Sequence, residues 1–196
     1  MKGPCAPREA VLQLAGRSEN WLNEHFTLAG ECVPPAILEQ ASCIGRQWAK
    51  EAWLFEQSAE QNLYRLGVER IRWMSPMEEC AFAARALYDP QAVQILVSKA
   101  RLDEMEELQQ VIRLNLFSPQ ALYDRLLAHE CFHHLEEQRG MRLDEALAEG
   151  SVLPPSVRDV GAHAFSNFIF GRPVCQAVDL LWLAVRRPDA LTHISY

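Results

Sequence analysis

Residues 117–140 read FSPQALYDRLLAHECFHHLEEQRG. Ser118 suits an N-cap, Pro119 a first helical turn and Gly140 a left-handed C-cap, so the spacing predicts a single helix. Its second half holds three of the chain's six histidines. His129, Glu130 and His133 together spell HExxH. On a helix, residues four apart share a face about one turn apart, so the two imidazoles converge on one point. Glu130 stands about 100° round from His129, within reach of a water held at that point without having to ligate an ion itself.

These residue types suit a Zn2+ site: neutral imidazoles for a borderline-soft ion, a carboxylate as third ligand, and an open fourth position for water. Zinc lowers the pKa of such a water, Glu130 is the expected general base, and a carbonyl carbon is the expected target. Leu122, Leu126 and Leu127 are expected on the core-facing side. Cys131, about 160° from His133, reads as a small buried hydrophobe. His134, about 100° from His133, reads as a surface residue or a support for a ligand.

Two helical histidines need a further ligand from elsewhere. Glu145 and Glu149 follow soon after the helix. Asp159 and His163 lie four apart in SVRDVGAHAFSNFIFG, residues 156–171, on one face of a helix that otherwise shows Ala162, Ala164, Phe165, Phe168 and Ile169. A carboxylate and an imidazole on an apolar face are costly to bury unless something pairs them, and a metal would do so. A buried Asp–His pair, or a carboxylate orienting a ligand histidine, is the alternative.

ALYDRLLAHECFHHLEE followed by DVGAHAFSNFIFG resembles the HExxH…ExxAxxFA arrangement of small zincin metallopeptidases, especially the ImmA/IrrE-like group, over roughly residues 85–171. The resemblance implies a mainly α fold with a minimal β-sheet beside the active-site helix. It also implies one Zn2+ held by His129, His133 and a third ligand, Glu130 as base, and a peptide or protein substrate. By position Asp159 matches the family's third-ligand glutamate, with Ala162 and Phe165 at the small and aromatic positions. Aspartate is one methylene shorter, so either the second helix sits closer to the metal or His163 takes part instead. The resemblance further implies that the strand beside the metal helix binds substrate in extended form. QAVQILVSK, residues 91–99, is the candidate, through an unpaired edge, with an ordinary core strand in a small sheet as the alternative.

Working outward, QAVQILVSK is the one stretch with convincing strand alternation, at Val93, Ile95 and Val97. Residues 8–26 and 35–66 show helical spacing, the latter as one long helix or two. Residues 68–76 read as a connection, and SPMEECAFAARALYDP, residues 75–90, as a helix with Ser75 as N-cap and Glu78 completing a capping box. Residues 100–115 are helical, LDEALAEG adds a turn or two, and residues 173–185 form a last helix. The chain is read as one domain over 1–196, with a helical N-terminal part at 1–75 and the zincin-like core at 76–196.

The chain has 196 residues and a net charge of -7, with no long Lys/Arg cluster, which argues against nucleic acid as a partner. Acidic pairs such as Glu136 and Glu137 read as a solvated face. Six cysteines without a CxxC pair read as free thiols, and no signal-peptide or membrane-spanning run is apparent, so a cytoplasmic protein is expected. A non-catalytic, metal-stabilised helical module that binds a protein partner is the alternative function. A di-iron bundle is excluded because the ExxH of Glu130 and His133 has no second copy.

Overall fold

The computed structural model describes residues 33–82, 84–111, 113 and 117–171. The helices expected at 8–26 and 173–185 lie outside these residues, as do Cys5, Cys32 and Cys175. The described elements run α1 (Pro35–Ala52), α2 (Ala59–Arg65), β1 (Arg70–Trp73), α3 (Pro76–Ala81), β2 (Ala86–Asp89), β3 (Gln94–Val97), α4 (Lys99–Val111), α5 (Pro119–Arg139), α6 (Leu143–Ala146) and α7 (Ser156–Phe170). The fold is mostly helical with a small mixed sheet, as expected.

Local chemistry sets most boundaries. Residues 35–66 form two helices because α1 stops at Ala52 and Ser58 starts α2 afresh with a capping box to Gln61. Asn62 joins them, exchanging hydrogen bonds with the backbone N–H and C=O of Leu54, both at 2.9 Å. Ser118 caps α5 by accepting from the Ala121 N–H at 3.2 Å, and Gly140 ends it at φ 58°. That angle is left-handed and suits glycine.

Two expectations about the sheet are corrected. Residues 75–90 are not one helix: the Ser75–Glu78 capping box forms, but α3 ends at Ala81 and Ala86–Asp89 is a strand. The presumed connection at 68–76 contains a third strand, Arg70–Trp73. The order is β1-β3-β2, β1 running parallel and β2 antiparallel to β3. Ile71 and Tyr88 both pair with Ile95, so β3 is central and has no unpaired edge. Its near-complete burial at Ile95, Leu96 and Val97 fits that place.

Between β2 and β3, Asp89 builds the turn, its Oδ1 accepting from the Gln91 N–H at 3.0 Å and the Ala92 N–H at 3.3 Å. The core lies where α1, α5 and α7 meet. Trp48 stacks on Phe132 at 5.0 Å, and Phe132 and Trp53 both meet Phe165 at 6.0 Å. Helices α1 and α7 approach closely at two glycines. A Cβ on Gly45 would collide with the Gly161 carbonyl, and one on Gly161 would come within 2.6 Å of Phe132 and Leu143. This approach brings α7, and Asp159 with it, against the cleft face of α5.

Candidate metal centre

Helix α5 divides its HECFHH segment between two environments. Cys131, Phe132 and Leu135 are buried in the core, while His129 and His133 face a cleft of about 770 Å³. Leu122, Leu126 and Leu127 are buried as expected. Cys131 is fully buried, and loss of water pushes its thiol pKa up to about 12, so it is no ligand.

Asp159, in the first turn of α7, completes a triangle with the two histidines. His129 Nε2 and His133 Nε2 are 3.3 Å apart, and Asp159 Oδ1 lies 3.6 Å from the first and 3.5 Å from the second. A tetrahedral zinc with bonds of about 2.1 Å has ligand–ligand edges of about 3.4 Å, so all three edges fit one face of that tetrahedron. Among the described residues this is the one set of three such donors that converge. The donor set, two imidazoles and a carboxylate, is also a zinc set.

His163 is buried, and its ring centroid lies 4.8 Å from that of His129 in an edge-to-face contact. It packs against His129 and is not among the converging donors. Burial first, then the neighbouring His129, pushes its pKa well below the usual histidine value, so the ring is neutral. Glu145 is exposed and pairs with Arg142 at 3.3 Å, and Glu149 is exposed; neither joins the cluster. The shorter aspartate is accommodated by the close approach of α7 to α5.

Glu136 is the main residue that the sequence reading misplaced: it is fully buried, not part of a solvated face. Its Oε2 accepts from His133 Nδ1 at 2.8 Å and from Arg158 Nε at 3.0 Å, and its Oε1 accepts from the Leu143 N–H at 2.9 Å. A carboxylate accepting from Nδ1–H turns Nε2 towards the triangle, where it presents a lone pair once that nitrogen gives up its proton. Burial alone would raise the Glu136 pKa, but His133 and Arg158 hold it below the usual carboxylate value. Burial likewise opposes the charge on Asp159, yet the two imidazoles hold its carboxyl far below the ordinary range.

Glu130 is buried and lines the cleft, its Oε2 accepting from the Tyr88 N–H at 2.8 Å. Just before β2, the Arg85 carbonyl accepts inward from the Ser98 N–H, so by alternation Ala86 and Tyr88 direct their backbone groups to the open edge. The strand beside α5 is therefore β2, and residues 84–88 line the cleft. The Tyr88 hydroxyl meets His134 Nδ1 at 2.9 Å, and His134 Nε2 meets the Leu66 carbonyl at 3.0 Å. His134 is thus no surface residue; it locks β2 and the end of α2 onto α5. No described helix is long and apolar enough to cross a membrane. The chain matches no family model, no curated protein and no solved structure.

Proposed function

We propose that the protein is a zinc-dependent peptidase that hydrolyses a peptide bond in the cleft between β2 and α5, with His129, His133 and Asp159 as ligands and Glu130 as general base. The observation that carries this reading is the triangle of donor atoms with edges of 3.3–3.6 Å beside a buried carboxylate. Bound zinc would supply Lewis-acid activation of a water and of the substrate carbonyl.

The chain's own groups account for the rest. The outward N–H and C=O of Ala86 and the outward C=O of Tyr88 offer an extended peptide a strand edge to pair with. The Tyr88 N–H holds Glu130 Oε2, which leaves Oε1 as the oxygen to take a proton from water and return it to the leaving amine. Glu136 keeps the His133 tautomer fixed while this occurs.

The test is Glu130→Gln, which keeps the shape of the side chain but not its basicity. The variant is expected to retain stoichiometric zinc and lose hydrolysis of a denatured-protein substrate by about a hundredfold or more. Equal hydrolysis by variant and wild type would defeat the assignment.

A further inference from the structure

The cleft has a polarity that the zinc triangle does not explain. Arg125, His129, His133 and Glu137 follow one another at four-residue spacing on α5, and all four line the cleft. Each step rises about 6 Å, so a cation stands one turn before the two histidines and an anion one turn after them.

Arg125 differs from two other arginines of the cleft in its partners. Arg158 is paired with Glu136 at 2.9 Å and Arg142 with Asp144 at 3.0 Å. Among the described residues the Arg125 guanidinium meets the carbonyl of Ala121 at 3.1 Å, the carbonyl of Phe170 at 3.4 Å and the Phe170 ring at 5.0 Å, and no carboxylate. Its Nε is buried without a hydrogen-bond partner. A partly buried guanidinium without a counter-ion is a strong attractor for a carboxylate, which it can hold through two parallel N–H bonds. Arg85, just before β2, lines the same cleft and adds positive potential.

We propose that Arg125 docks a carboxylate of the substrate peptide, which makes the cleft selective for peptides that present a carboxylate at that position and sets how they lie. This rests on the peptidase reading for its meaning as substrate selection. An extended peptide advances about 3.4 Å per residue, so a carboxylate at Arg125 belongs about two residues from the reacting carbonyl. Glu137 repels the same carboxylate from the opposite end of the cleft. The carboxylate can come from an acidic side chain or from a peptide C-terminus, and the chemistry of docking is the same.

The experiment uses the full chain, loaded with zinc, and three decapeptide pools that carry a neutral dansyl label and randomised positions free of Asp and Glu. One pool carries a fixed central Glu and an amidated C-terminus, one a central Gln and a free C-terminus, and one a central Gln and an amidated C-terminus. The expected result is about tenfold higher kcat/KM for one of the first two pools over the third, carried by KM, which also identifies the source. Arg125→Gln should bring the pools within about twofold of one another, and Arg125→Lys, which keeps the charge without the fork, should retain part of the preference.

A merely structural Arg125 would instead lower the melting temperature and slow all pools alike. Should Arg125→Gln fail to fold, the wild-type and Arg125→Lys comparison carries the test. Hydrolysis without preference among the pools overturns the docking role and leaves the peptidase standing. Without hydrolysis, binding to the Glu130→Gln protein is read by anisotropy. Preference for a carboxylate pool that weakens in the Glu130→Gln, Arg125→Lys double variant keeps the docking role and overturns the peptidase; its absence overturns both.

Discussion

Glu136 accepts the Nδ1 hydrogen of His133 across 2.8 Å, three residues further along the same helix. The contact is made in a fully buried position, with Arg158 and the Leu143 N–H on the remaining lone pairs. Glu136→Gln should therefore weaken zinc binding by about 10–100-fold, because the amide holds the imidazole less strongly. Competition with a chromophoric chelator measures this. Unchanged affinity would show that His133 is oriented by packing alone.

Zinc content separates the two candidates on α7. Asp159→Ala should lose most of its metal, since Oδ1 closes the triangle. His163→Ala should keep about one zinc per chain, since its ring packs on His129 without joining the donors. Elemental analysis of the two purified variants distinguishes them, and loss of metal from His163→Ala alone would reverse the assignment.

The metal-free protein should weaken in alkali. Burial opposes a charged His133, but Asp159 and Glu136 beside it outweigh this and raise its pKa to about 10 from 6.5. A raised folded value favours the protonated ring, so the stabilisation is complete below about pH 6.5 and lost as the pH rises through about 10. Asp159 and Glu136, whose values are depressed, contribute above the usual carboxylate range and lose this only in acid. Urea unfolding of the chelator-treated protein should thus show a decline across the neutral to alkaline window. Zinc loading near neutral pH should release about one proton, read by calorimetry in buffers of different ionisation enthalpy.

Gly45→Ala should destabilise the fold by about 1–3 kcal/mol, because its new methyl group meets the Gly161 carbonyl. Since that crossing brings α7 towards α5, zinc affinity should fall as well. A chemical denaturation curve and a zinc titration on the same sample test both, and a destabilised variant with unchanged zinc affinity would refute the link between them.

What the sequence made legible is what short-range chemistry decides. The caps of α5 at Ser118 and Gly140, the capping box of Ser75 and Glu78, and the HExxH face all follow from residues within a turn of one another. Strands β1 and β2 were hidden because RIRW and ALYD lack the run of β-branched residues at alternate positions, Val93, Ile95 and Val97, that marks β3, which is equally short. Ala86-Leu87-Tyr88 also continues an alanine-rich run that suits a helix equally well. Whether β3 lies at an edge depends on its pairing with β1, whose partners stand 24 positions away, such as Arg70 opposite Gln94. Glu136 was misread for a related reason. Its spacing from His133 is local, but its burial is set by Arg158 and Leu143 from later segments.

Two backbone amides, those of Tyr88 and Leu143, are directed at the carboxylates of Glu130 and Glu136. An N–H that donates to a carboxylate feels its charge directly. In a proton–nitrogen NMR spectrum these two resonances act as built-in electrodes. The Tyr88 signal follows its hydrogen bond to Glu130, and the Leu143 signal follows the state of the Glu136–His133 pair, each without a label at the site or a substrate in solution.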